Sequence, residues 1–265
     1  MNQTAEIGIF GGSGFYDFAE GDVEEITVDT PYGPPSDKIV LMTVAGHKVA
    51  FLPRHGKAHT LPPHRVPYRA NLWAFQSLGV TRVLAPSAVG SLQPNIAPGD
   101  FVINDQFVDR TNSRADTFFH GPEVVHVSSA DPYCPQMRQL AIDAAGQSGV
   151  SVHETGTVVV IQGPRFSSKA ESRWFTQRGW DIVSMTQYPE VILARELELC
   201  YVTLSLVTDY DAGLVSDTAA VEAHDVLAML KQNTANVKRV LKTMLAEMPS
   251  DRSCSCADAL KYARM

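Results

Sequence analysis

The chain has no run approaching ~20 continuous apolar residues, so no membrane-spanning helix is expected. It also lacks a basic stretch: 22 Lys and Arg stand against 29 Asp and Glu, a formal net charge of −7. That balance argues against nucleic acid or an anionic membrane as the main partner. It leaves room for a small anion held by one Arg and backbone amides. The opening MNQTAEIGIFGG carries no basic segment of a secretory signal and reads as a mature strand, so a cytoplasmic location is expected. Cysteine is scarce, 4 in 265 residues. Cys134 and Cys200 are isolated, and Cys254 and Cys256 form C-x-C, which is neither the C-x2-C of a zinc site nor a thioredoxin motif. Isolated cysteines are mostly small buried apolar residues.

Missing motifs narrow the chemistry. The strand Ile7–Phe10 breaks into Gly11-Gly12-Ser13-Gly14, but Asp17 stands where the last Gly of a dinucleotide fingerprint belongs, and no Gly-Lys-Ser/Thr follows. The segment Pro86-Ser87-Ala88-Val89-Gly90-Ser91 is no nucleophile elbow, because Ala85 occupies its first Gly position. His55, His59 and His64 are spaced four then five apart across two prolines, which is no helical ligand pattern, so no metal is expected.

What is present is an ordinary globular composition, 45% apolar and 19% charged. Strand and helix patterns alternate without linker or repeat. They predict one α/β domain over residues 1–265, with a mixed central sheet covered on both faces and a short tail from about 249. The predicted strands are Ile7–Phe10, the hairpin Ile39–Val44 and Lys48–Pro53, Arg82–Ala85, Asp100–Asn104, a long Val152–Ile161, Asp181–Met185 and Leu199–Val207. The predicted helices are Ala70–Leu78, Pro135–Gly146, one opened by a capping box from Ser168 to Glu171, Pro189–Leu197, and one or two within Asp217–Met248. Asn112–Gly121 reads as a mobile loop.

Leu199–Val207 is the organising stretch, an apolar, β-branched run of the kind buried on both faces. It is expected to stop at Thr208-Asp209-Tyr210-Asp211. Two carboxylates two residues apart point to one side of an extended backbone. One reading is a helix cap and a solvated Asp. The other is a ligand edge that offers hydrogen-bond donors, since ligands in open α/β sheets sit outside the carboxyl ends of the strands. Ser13, Arg54-His55, Ser87-Ala88 and Met185-Thr186 stand at the other strand ends. They supply hydroxyls, amides, one Arg and one His, the inventory of a phosphate site without metal.

These residues sit in GGSG, PYGPPSD, RHG, YRANLWA, GSL, DQFVDRT, QGPRFSS, MT-x-x-PEV-x-LARE and TDYD. As a set, spanning Ile7 to about Met244, they resemble the trimeric purine nucleoside phosphorylases and, within them, the S-methyl-5′-thioadenosine phosphorylases. The resemblance implies a mixed sheet forming a distorted barrel flanked by helices. By position it implies a phosphate site of Ser13, Arg54, His55, Ser87, Ala88 and Thr186, a ribose contact at Met185, and a base site of Ser167, Asp209 and Asp211. His126 matches a residue that the family inserts from a neighbouring subunit, which implies a homotrimer; stacking of two trimers into a hexamer stays open. Ala223, with His224 beside it, falls where the family selects the 5′ group. The chain departs from the family at Gln162, where Glu is usual. Disulfides Cys134–Cys200 and Cys254–Cys256, as in heat-loving members with C-x-C, are left open.

The implied reaction is phosphorolysis of S-methyl-5′-thioadenosine to adenine and 5-methylthioribose 1-phosphate, with phosphate as co-substrate and no cofactor. A 6-aminopurine presents an N6 donor beside an N7 acceptor, and a protonated Asp209 can serve both. Asp209 and Asp211 are thus the expected catalytic pair. Three alternatives stand beside this reading: a broader phosphorylase accepting adenosine or inosine, a hydrolytic nucleosidase, and a nucleoside-binding protein without turnover.

Overall fold

A computed structural model describes residues 4–11, 21–212 and 223–265; the side chains of residues 223–228 and 230–232 lie outside the description. The chain forms strands β1 (Ile7–Gly11), β2 (Glu24–Ile26), β3 (Ile39–Val44), β4 (His47–Pro53), β5 (Arg82–Ser91), β6 (Phe101–Val102), β7 (Gln106–Arg110), β8 (Val152–His153), β9 (Thr157–Ile161), β10 (Ile182–Ser184) and β11 (Cys200–Tyr210). The helices are α1 (Tyr68–Ser77), α2 (Pro135–Gln147), α3 (Lys169–Gln177), α4 (Gln187–Glu196) and α5 (Ala223–Ala246).

The strands join in one mixed sheet ordered β2-β3-β4-β1-β5-β10-β9-β7, with β11 on β5 and β6, and β6 on β8. Side chains alternate between two cores, as the period of a strand requires. Ile7, Ile9, Val202, Leu204 and Leu206 face α2 and α5. Phe10, Leu52 and Tyr201 face α1 and α4. Helix α5 contributes Val237, Val240, Leu241, Met244 and Leu245, the three-and-four spacing of one helical face. A third cluster joins Val102, Val158, Val160, Ile182 and Val207 where the sheet curls over itself. The curl is what the expected distorted barrel amounts to. Among the described residues the hydrogen-bonded path does not close on itself.

Other expectations need correction. The long strand over 152–161 is two short ones, β8 and β9, on different partners. Residues 112–121 are tied down rather than loose: Thr117 Oγ1 and Phe118 N donate to Glu196 at 2.7 Å each. The segment past Pro249 is packed, with Cys256, Leu260 and Ala263 buried. Helix α4 starts two residues before Pro189, across a non-helical Tyr188. The capping box is present, Glu171 N donating to Ser168 Oγ and Ser168 N to Glu171 Oε2. Among the described residues no helix is long and apolar enough to cross a membrane.

Candidate active site

Two strands depart from their expected ends, and the departures build the site. β5 does not stop at Ala85; it runs on to Ser91, paired with β11 along its length. Its other edge is shared. β1 pairs with Arg82–Leu84 and β10 with Gly90–Ser91, leaving residues 85–89 without a strand partner on that side. Burial follows the same division: Pro86, Ser87 and Ala88 are half-buried in a strand buried everywhere else. Ser87 and Ala88 therefore line a window in mid-sheet.

The backbone within this window alternates. Thr203 Oγ1 donates to Ala85 O and Thr208 Oγ1 to Val89 O, so the odd residues turn their carbonyls to β11. Pro86 O faces the window and accepts from Arg54 Nη1 at 3.0 Å. A strand residue turns N and O to the same edge. Proline's missing N–H thus falls where no ladder exists to lose it. Ala88, two residues on, presents its amide to the same opening.

Arg54 follows β4 and is buried. Its Nε and Nη2 bond Glu190 Oε2 and Oε1, both at 2.8 Å. Tyr201 Oη adds a third bond to Glu190 at 2.7 Å. Phe10 lies under the guanidinium, 4.8 Å from ring centroid to Cζ. Burial disfavours the cation, but the Glu190 carboxylate outweighs it and raises the guanidinium pKa. Of five N–H donors, three are used on Glu190 and Pro86, which among the described residues leaves two for an anion. His55 Nδ1 lies 2.8 Å from Leu61 O, so that nitrogen carries the proton and Nε2 keeps a lone pair. Burial, with Arg54 and His59 nearby, pushes the ring down to about 4. His55 is neutral at ordinary pH, and its second ring nitrogen can accept a hydrogen bond but has no proton to donate to an anion.

β10 pairs antiparallel with Gly90 and Ser91 and ends at Ser184, so Met185 and Thr186 follow it at the edge of the window. Thr186 caps α4 but makes no side-chain capping bond, which leaves its hydroxyl uncommitted there. The Met185 thioether rests on Gly163; a Cβ there would sit 2.7 Å from Sδ, and φ is +61°, so glycine is required twice over.

β11 also overruns its expected end, through Tyr210, after a bulge between Val207 and Asp209. The bulge re-aims the acidic pair toward the end of the window: a Cβ on Gly90 would meet Asp209 Oδ1 at 3.1 Å and Asp211 Cβ at 3.5 Å. Burial, with Asp211 adding repulsion, pushes Asp209 up to about 6 against one hydrogen bond from Thr208 Oγ1 at 2.8 Å. Burial also raises Asp211, and the Ser172 and Ser167 hydroxyls offset part of the rise. Yet Asp211 Oδ2 and Ser167 Oγ, both buried, complete no hydrogen bond of ordinary geometry.

The structure thus brings Arg54, Ser87, Ala88, Met185, Thr186, Asp209 and Asp211 to one interrupted strand. His126 is not among them: it is exposed, its N–H donating to Ala263 O at 2.8 Å. Ser13 and the side chains of Ala223 and His224 lie outside the described residues. Two contributors were missed. Glu190 holds Arg54, and a lone carboxylate inside the apolar PEVIL could have signalled a buried ion pair. Arg114 ties its loop to Gln162 O at 2.8 Å and to Tyr188 O. Gln162 Oε1 accepts from Asn112 N and Arg114 Nε, so the departure from Glu keeps the acceptor.

An anion window beside protonatable carboxylates fits cleavage of a nucleoside by phosphate, and residues 6–246 match the model of the phosphorylase superfamily. The chain belongs to the phosphorylase superfamily. It is 50% identical over 263 residues to S-methyl-5′-thioadenosine phosphorylase of Thermofilum pendens, covering 98% of this chain and 99% of that one. It is 52% identical over 266 residues to purine nucleoside phosphorylase of Streptomyces coelicolor, covering 97% and 94%. Among solved structures, methylthioadenosine phosphorylase of Schistosoma mansoni in complex with adenine superposes with a TM-score of 0.90 at 38% identity, covering 97% of this chain and 96% of that one.

Proposed function

We propose that this chain catalyses phosphorolysis of S-methyl-5′-thioadenosine, releasing adenine and 5-methylthioribose 1-phosphate of inverted anomeric configuration. The observation that carries the reading is Asp209: a buried carboxylate with a raised pKa, at the end of a window whose two remaining guanidinium donors suit an oxyanion. Phosphate in the window attacks C1′ from the face opposite the base. Arg54, the Ser87 and Thr186 hydroxyls and the Ala88 amide hold it, and its negative charge stabilises the oxocarbenium-like transition state. His55 accepts from the hydroxyl of a protonated phosphate. Met185 lies along the sugar. Protonated Asp209 donates to N7 as the purine leaves and accepts from N6. Asp211 and Ser167, each with an unused buried polar atom, complete the base site. This chemistry calls on no metal or organic cofactor.

The exposed position of His126 supports its contribution to a neighbouring subunit's site, and with it a homotrimer. A second reading, a purine nucleoside phosphorylase that accepts adenosine or inosine, is favoured by the Streptomyces coelicolor relative. Ala223 or His224 would decide it at the 5′ end. The test is release of free base from methylthioadenosine, adenosine and inosine with and without phosphate. The proposal expects phosphate-dependent turnover, with methylthioadenosine preferred in kcat/KM. Release without phosphate would make the protein a nucleosidase, and binding without release a sensor; either outcome overturns it.

A further inference from the structure

The four cysteines, dispersed in sequence, converge in space at the end of β11 opposite Asp209, away from the groups of the proposed reaction. Cys134 caps the start of α2, Cys200 opens β11, and Cys254 and Cys256 flank the first residue of the short 3-10 turn Ser255–Asp258. All four Sγ atoms lie within 4.8 Å of one another, with Cys200 and Cys254 at 3.3 Å, and all four are free thiols. A tetrahedral zinc ion with Zn–S of ~2.3 Å sets its sulfurs ~3.8 Å apart. The cluster therefore needs shifts of only about 1 Å to close on an ion. C-x-C supplies two ligands from one turn. The other two come from rigid element ends, so spacing within each pair said nothing of the tetrahedron they form together.

We propose that these four cysteines bind one zinc ion as a closed structural site that fastens the C-terminal segment to the core. A four-thiolate zinc centre carries a net charge of −2, and a cation is already in place: Arg252 stands beside Cys200, Cys254 and Cys256, its Nε buried without a hydrogen-bond partner. Its Nη2 donates to Glu198 O at 2.5 Å, which fixes the guanidinium against the cluster. Binding replaces thiol protons with the metal and releases them to solvent. The four protein ligands leave no open position for a substrate. The fastened segment continues to Ala263, whose carbonyl accepts from His126 N–H, so the ion steadies the stretch that carries His126.

The test uses the full-length protein purified anaerobically under reducing conditions. About one zinc per chain by elemental analysis is expected, with four thiols protected from a thiol reagent until a chelator is added. Titration with Co2+ alone should give thiolate-to-cobalt charge-transfer and tetrahedral d–d absorption, and zinc should raise Tm by ~5–10 °C over the stripped protein. Cys254→Ser with Cys256→Ser should abolish the cobalt spectrum while phosphorolysis persists. If that variant fails to fold, the cobalt titration of the unaltered chain decides. No stoichiometric metal and no cobalt–thiolate absorption, whether the thiols stay free or the intact mass shows two disulfides, would overturn the proposal.

Discussion

The two halves of the candidate site are built on opposite plans. On the anion side the charged group is held in place before any ligand arrives: Arg54 is clamped by both oxygens of Glu190, which Tyr201 anchors in turn. On the base side the charged groups are under-committed. Among the described residues Asp209 accepts one side-chain hydrogen bond, and Asp211 Oδ2 and Ser167 Oγ have none. A committed cation stays charged and in place, which an anion of fixed charge requires. An under-committed carboxylate keeps its proton and can pass it on, which a leaving base requires. Breaking either plan should produce a different failure.

The largest effect is expected from Glu190→Ala, which strands a buried guanidinium. We expect a stability loss of ~3–5 kcal/mol in urea unfolding and a drop in kcat/KM for phosphate of ~10²–10³-fold. A loss confined to nucleoside KM would break the comparison. Next comes Asp209→Asn, which removes the transferable proton; kcat on methylthioadenosine should fall ~10²-fold in steady-state assays, with phosphate KM nearly unmoved.

The pH dependence sharpens the point. Asp209 is raised to about 6, so its stabilisation is whole below the ordinary carboxylate value and is lost as pH rises through about 6. His55 is depressed to about 4, so its contribution is whole above its ordinary value of 6.5 and is lost as pH falls through about 4. Comparing Tm with that of Asp209→Asn should therefore show the variant gaining on the unaltered protein from pH 4 to pH 8. The kcat/KM of the unaltered protein should decline above about 6 more steeply than the variant's. A parallel pair of profiles would remove Asp209 as the proton carrier. A smaller effect is expected at Gly90→Ala, whose Cβ would press on Asp209 Oδ1 at 3.1 Å. Nucleoside KM should rise ~10-fold while phosphate KM holds, as a displacement of one carboxylate predicts. The smallest belongs to Gln162→Glu, which keeps the acceptor for Asn112 and Arg114 and should change kcat/KM by no more than ~2-fold.

How much of this was legible depends on range. The class of fold, the capping box and most elements follow from local pattern, but β2 and β7 were not expected and one long strand proved to be β8 and β9. The ends of β5 and β11 did not follow. Pro86 and the polar TDYD look like strand stops, but both strands run on because each is ladder-bonded to the other. That pairing joins residues more than a hundred positions apart, and no local pattern encodes it. Glu190 was hidden for the same reason: its partner Arg54 is 136 residues away. The cysteines are buried as expected, all but the half-buried Cys254, but their convergence was not legible, because spacing is read along the chain and their meeting place is tertiary.

The interrupted edge of β5 has a consequence for how the molecule breathes. A central strand normally locks its amide hydrogens on both sides, and such hydrogens exchange with solvent only when the whole domain opens. At Ala88 the lock on one side is left to whatever occupies the window. Bound phosphate would act there as a surrogate strand. The deuterium uptake of this one stretch in the middle of the sheet should then follow the phosphate concentration, while its neighbours at Leu84 and Ser91, ladder-bonded on both edges, keep their protection in either state.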